Sequence, residues 1–187
     1  MNNESSIARL QNVVRASDLD GWLLYDFRGL NPFPAQLLNL GRGILTRRWF
    51  LYTPAQGQAT LIHHRIEAGS WQQVLPDETI ARKVFASHEQ LDDRLRETLR
   101  GAQRIAMEYS PRGEVPYVSY VDAGTVERVR ACSVEIVSSA DLLQYFLTWN
   151  AADRSAHAEA VTGVVRAKDL AFQLIDERLK TGQRMCG

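Results

Sequence analysis

Asp26 and Glu108 both fall where strands are expected to end, and Glu67 is the third carboxylate within reach of such a position. Carboxylates gathered at strand ends are what a two-metal, ribonuclease H-type hydrolase needs, with magnesium held between them. The plainer reading of each is a side chain that caps loop amides or, for Asp26, pairs with Arg28. His63-His64 is the only histidine pair. Neighbours on a strand point to opposite faces, so the two do not readily share a metal. Asp153 and His157 share a helical face near Glu159, but two ligands do not make a metal site. Cys132 would need a nearby base and a lowered pKa to act as a nucleophile. Arg47-Arg48-Trp49 has two readings, an exposed Trp beside Arg that marks an interface, or a half-buried strand Trp. There is no G-x-G-x-x-G, P-loop or G-x-S-x-G pattern. The residues therefore nominate no catalytic group and no metal ligand.

The 187 residues are 45% hydrophobic and 24% charged, ordinary values for a globular chain. Basic and acidic residues balance at 22 each, which argues against a nucleic-acid surface. Cys132 and Cys186 provide neither zinc spacing nor a disulfide framework, so a reduced, cytoplasmic setting is the default. Met1-Asn2-Asn3-Glu4 lacks the features of a signal peptide, and no apolar run approaches the roughly 18 residues of a membrane span.

The elements that must position these residues follow from periodicity. Ile7, Leu10, Val13 and Val14 fall on one helical face, with Asn3 or Ser5 as cap. The run from Trp22 to Tyr25 is continuous rather than alternating, as in a strand covered on both faces. It leads into the loop Asp26–Phe33, where open α/β sheets place their ligands. A short helix over Pro34–Leu40 and a flexible break at Gly41-Arg42-Gly43 come next. Arg48–Tyr52 and Ala59–His63, joined by turn residues, predict an antiparallel hairpin. A helix over Ile66–Val74 should stop at Pro76. Arg82–Phe85 reads as a short edge strand.

Ser87 and Gln90 cap a helix bearing Leu91, Leu95 and Leu99. Arg104–Tyr109 and Ser133–Val137 are further strands, Asp122 caps a helix with Val126 and Val129, and Ser138 and Ser139 cap another with Leu142, Leu143 and Phe146. The pattern predicts an α/β fold with a mixed sheet flanked by helices. From Asp153 to Lys180 a single helix of roughly 40 Å is expected. Val161, Val164, Val165, Phe172, Ile175 and Leu179 form its apolar stripe, part of which needs a partner from outside the helix.

Several segments in order resemble one known family: Gly21–Gly29, Ile105–Pro111, Pro116–Ser119, Val121–Thr125 and Val137–Leu142. Together they look like the N-terminal creatinase/prolidase-type domain of Xaa-Pro peptidases (aminopeptidase P or proline dipeptidase). The resemblance implies a mixed sheet of ribonuclease H-like topology at residues 1–150. At 151–187 it implies a long helix leading into a catalytic metallopeptidase domain that is missing here. That C-terminal domain would hold two divalent metals through two Asp, one His and two Glu, none of which has a counterpart in this chain. The implied partners are the catalytic domain, a second subunit in a homodimer and a proline-containing peptide, with neither nucleic acid nor membrane. In the family, one subunit's N-terminal domain helps wall the other's substrate pocket. On that view Asp26, Phe27, Arg28, Asn31, Arg48 and Trp49 are the pocket-wall or interface candidates. A stand-alone ribonuclease H-like hydrolase and a free-standing interaction module remain the alternatives.

Overall fold

The computed structural model describes residues 5–40, 45–75 and 79–182. The Asn3 cap, the Gly41-Arg42-Gly43 break, the Pro76 stop and Cys186 lie outside the described residues. The chain divides into two compact units, Met1–Phe146 and Leu147–Gly187.

The first unit is organised by β1 (Gly21–Asp26), in which all six residues are buried. It pairs antiparallel with β2 (Trp49–Pro54) and parallel with β5 (Arg104–Met107). β3 (Thr60–His64) completes the expected hairpin with β2, and the edge strand β4 (Ala81–Phe85) lies parallel to β3. β6 (Glu135–Ser138) lies parallel to β5. The sheet order is β4-β3-β2-β1-β5-β6, so β2 alone runs against the other five. Two expected strands are shorter or displaced. β5 ends at Met107 rather than Tyr109, because the Glu108 carbonyl turns to accept from the Tyr120 and Val121 amides. β6 starts at Glu135 because Ser133 takes a left-handed conformation, φ 62°.

Alternation along the strands divides the core into two layers. Trp22, Leu24, Trp49 and Leu51 face α1 (Ser6–Arg15), α2 (Pro32–Leu38), α3 (Ala68–Val74) and α6 (Ala140–Leu147). Leu23, Tyr25, Phe50 and Tyr52 face α4 (His88–Thr98) and α5 (Ala123–Arg130). Burying each of these large side chains contributes about 1.5–3 kcal/mol. The caps follow the sequence signals: Ser5 accepts from the Ala8 amide, Ser87 from Gln90 and Asp122 from Thr125. α2 begins two residues earlier than expected, because Asn31 caps it and Pro32 takes its first position.

The second unit is dominated by α7 (Ala151–Lys180), which starts at a capping box formed by Asn150 and Asp153. None of its residues is buried, and Val164, Phe172 and Leu179 are each more than 60% exposed. Among the described residues, no helix is long and apolar enough to cross a membrane.

Gly21 is required by close approach. A Cβ there would lie 2.3 Å from the Tyr52 ring, whose hydroxyl donates to the Asp20 carbonyl at 3.3 Å. Gly21→Ala should therefore lower stability by about 1–3 kcal/mol in urea denaturation. An unchanged midpoint would show that the Tyr52 ring swings away freely.

Candidate functional site

Asn31 sits at the junction of the candidate loop and the core, and it is only 2% exposed. Its Oδ1 accepts from the Phe33 amide at 3.2 Å, which is the N-cap of α2. Its Nδ2 donates to the Tyr25 carbonyl at 2.8 Å and to Glu108 Oε2 at 2.9 Å. The indole of Trp22 donates to Glu108 Oε1 at 2.7 Å. The C-terminal ends of β1 and β5, where an open α/β sheet would admit a ligand, are thus tied together by a side chain.

Asp26 supports the same loop. Its Oδ2 accepts from the Gly29 amide and its Oδ1 from the Asn31 amide, both at 2.9 Å. The turn they stabilise passes through two left-handed residues, Arg28 at φ 61° and Gly29 at φ 72°. Asp26 is buried and caps backbone amides; the alternative pairing with Arg28 is not formed. Arg28 is left exposed at the tip.

Glu67 does a comparable task at the entry to β2. Its Oε1 accepts from the Thr46 amide at 2.6 Å, the Thr46 hydroxyl at 3.0 Å and the Arg47 amide at 3.0 Å. The three carboxylates of the nuclease alternative are therefore committed to structure. Among the described residues, no group of three or more His, Cys, Asp or Glu side chains is placed to hold a metal. His63 is buried beside Trp71, and burial depresses its pKa. Burial raises that of the Cys132 thiol, the opposite of what a nucleophile needs.

Strand alternation separates the six sequence candidates. Asp26 is paired with Trp49 across β1 and β2, and both face the α1/α3 layer. Together with Arg28 and Asn31 they line a cleft of about 360 Å³. Phe27 and Arg48 turn to the other side, where the guanidinium lies 5.9 Å from the Phe27 ring centroid. They line a second cleft, of about 400 Å³. Trp49 is neither an exposed interface residue nor half-buried. It is 1% exposed and packs edge-on against Trp71, with ring centroids 4.8 Å apart. The exposed element of its segment is Arg47.

The Asn31–Pro32 cap signature is readable in sequence, because Asn at the cap and Pro at the first helical position are a known pairing. The Glu108 contacts, 77 and 86 residues distant in sequence, are not. Neither is the gathering of His64 and His88 beside Arg47 and Arg48 in the second cleft.

Glu108 is fully buried, and burial pushes its carboxyl up to about 7, against the opposing effect of the Trp22 and Asn31 hydrogen bonds. An acid whose folded pKa lies above its unfolded value near 4.5 favours folding below that value. This contribution is lost as pH rises through the folded pKa, and amounts to about 3 kcal/mol by pH 8. In urea denaturation at pH 5 and pH 8, the wild type should lose about 2.5 kcal/mol relative to Glu108→Gln, which does not titrate, part of the loss having occurred below pH 5. Parallel pH dependences would refute it. Asn31→Ala, which removes the donor to Glu108 Oε2 and to the Tyr25 carbonyl, should cost about 2–4 kcal/mol in the same measurement.

No sequence profile of a known family matches the chain, and neither does any curated protein. Solved structures do match its fold. The dipeptidase PepE from Mycobacterium ulcerans superposes with a TM-score of 0.63 at 18% identity, over 88% of this chain and 42% of that one. The creatinase/prolidase N-terminal domain of an X-Pro dipeptidase from Streptococcus pyogenes gives 0.55 at 12% identity, over 73% of this chain and 97% of that domain. The prolidase from Pyrococcus horikoshii gives 0.52 at 13% identity, over 75% of this chain and 34% of the prolidase. The chain thus has the creatinase/prolidase N-terminal fold and spans about a third to two-fifths of the two larger enzymes.

Proposed function

We propose that this chain is the non-catalytic N-terminal domain of a metal-dependent Xaa-Pro peptidase, a dimer of the cytoplasm. The observation that carries this reading is the asymmetry of coverage. The chain accounts for only 34% and 42% of two larger dipeptidase chains, yet for 97% of an isolated N-terminal domain. In this reading α7 leads into the catalytic domain, and the exposed stripe through Val164, Phe172 and Leu179 is covered there or by the second subunit. Two divalent metals in that domain would activate water and polarise the scissile carbonyl. This chain would contribute dimer contacts and confinement of the proline-containing peptide, and so specificity more than chemistry.

In this reading the candidate residues divide the labour. Arg28 at the loop tip, with Phe27 and Arg48 on the other side, supplies the surface that meets a substrate. Asp26, Asn31 and Trp49 hold that surface in place from the core. The ribonuclease H-type alternative finds no support in the carboxylates, since Asp26 and Glu108 are joined through Asn31 and Glu67 is engaged at Thr46 and Arg47.

The test uses the protein expressed with its downstream coding region and loaded with divalent metal. Phe27→Ala and Arg28→Ala should each lower kcat/KM on Xaa-Pro peptides by about 10-fold or more, equivalent to roughly 1.4 kcal/mol of transition-state stabilisation. Trp49→Ala is unsuitable for this purpose because it would open the core. The 187-residue chain alone should hydrolyse none of these peptides. A downstream region without the two-Asp, His, two-Glu set, or variants with unaltered kcat/KM, would sink the reading.

A further inference from the structure

We propose that the cleft at the C-terminal ends of β3 and β4 binds a small organic carboxylate carried on an apolar body. The cleft shares Phe27 and Arg48 with the surface that the peptidase reading turns to substrate, but its lining would bind such a ligand in a chain of any activity. Its volume of about 400 Å³ suits a ligand of amino-acid to dipeptide size.

The lining is one-sided in charge. Arg47, Arg48, His64 and His88 converge on the cleft, and no Asp or Glu lines it. Among the described residues, neither Arg47 nor Arg48 forms an ion pair, whereas Arg94, Arg96, Arg104 and Arg128 each have a carboxylate partner. Asp122 lies within electrostatic range of Arg48, but it is already engaged by the Tyr25 and Thr125 hydroxyls at 3.1 and 2.8 Å. Glu67 fixes the Arg47 backbone amide, and the Phe27 ring lies beneath the Arg48 guanidinium.

The donors that line the cleft are chiefly side chains. Phosphate sites draw on several backbone amides at a helix start. At the start of α4 the Gln90 amide is taken by Ser87 Oγ at 3.2 Å, and the Ala86 amide by Gln90 Oε1 at 2.8 Å. The side-chain donors are planar: two guanidinium forks, which fit the two oxygens of a carboxylate, and the imidazoles; the apolar lining decides between an organic carboxylate and an inorganic anion. His64 Nδ1 accepts from the Ile66 amide at 3.2 Å, so the neutral ring carries its proton on Nε2 and offers a donor there.

The rest of the lining is apolar. Phe27, Ile66, Phe85 and Leu91 form it, and Ile66 is 71% exposed with no packing that would account for it. Phe85 and Leu91 are buried beneath, so an inorganic anion would leave Ile66 and the accessible part of Phe27 in water, whereas a carboxylate on an aliphatic or aromatic body would cover them.

N-acetyl-L-leucine is the probe, titrated into the 187-residue chain by calorimetry and by NMR, beside N-acetyl-L-leucinamide and inorganic phosphate. The acid should bind at least about 10-fold more tightly than either, equivalent to roughly one hydrogen-bonded charge. Arg48→Gln should weaken it by about 10-fold, and Ile66→Ala by a few-fold. Arg47→Gln, on an exposed side chain, provides a second charge variant should Arg48→Gln lower the melting temperature. Equal binding of acid and amide, phosphate as tight as the acid, no heat or shift change at all, or an affinity untouched by Arg47→Gln would each overturn the proposal.

Discussion

The carboxyl of Glu108 is completely buried and is held by two neutral donors, the Trp22 indole and the Asn31 amide. A buried carboxyl is tolerated only when its oxygens are satisfied, so this one constrains everything that touches it. Asn31 must be where it is, and because Asn31 also caps α2 and binds the Tyr25 carbonyl, the path of the loop is set. Asp26 then closes the turn through its bonds to the Gly29 and Asn31 amides. Arg28 is presented in a left-handed conformation as a consequence of a network seated in the core.

That network also occupies a strand end that, in the sequence, resembles a ligand site. The carboxylates a catalyst would need are consumed in holding backbone amides and side-chain donors. The side chains that this framework presents but does not use point outward. Arg28, Arg47 and Arg48 are of this kind. Glu67 plays for Arg47 the part that Asp26 plays for Arg28, each accepting from loop amides so that an arginine stands at the surface.

The two-residue period of the strands decides which of these groups act together. Asp26 and Trp49 lie on one face, Phe27 and Arg48 on the other. Residues adjacent in sequence therefore serve different clefts, and residues 21 apart, such as Phe27 and Arg48, share one. The fold is shared with solved structures at 12–18% identity, and in this chain its demands fall on pattern and on a few positions. Two-sided burial of β1, the approach of Tyr52 over Gly21 and the Asn31–Glu108 bond do not require most of the remaining identities.

The local chemistry of this chain was legible before any tertiary contact was known. The unbroken apolar run of β1, the hairpin of β2 and β3, the caps at Ser5, Ser87 and Asp122 and the long helix α7 are all written in periodicity and turn residues, which depend on neighbours a few positions away. The loop Asp26–Phe33 was visible as a structural feature for the same reason. The tertiary structure alone decided what the loop's residues do. Whether Trp49 faces solvent or Trp71, whether Glu108 is an acid at a site or a buried anchor, and whether Arg48 joins His64 and His88 are settled by contacts across tens of residues. No local pattern encodes these contacts, because they depend on which strand faces meet when the sheet closes around its two cores.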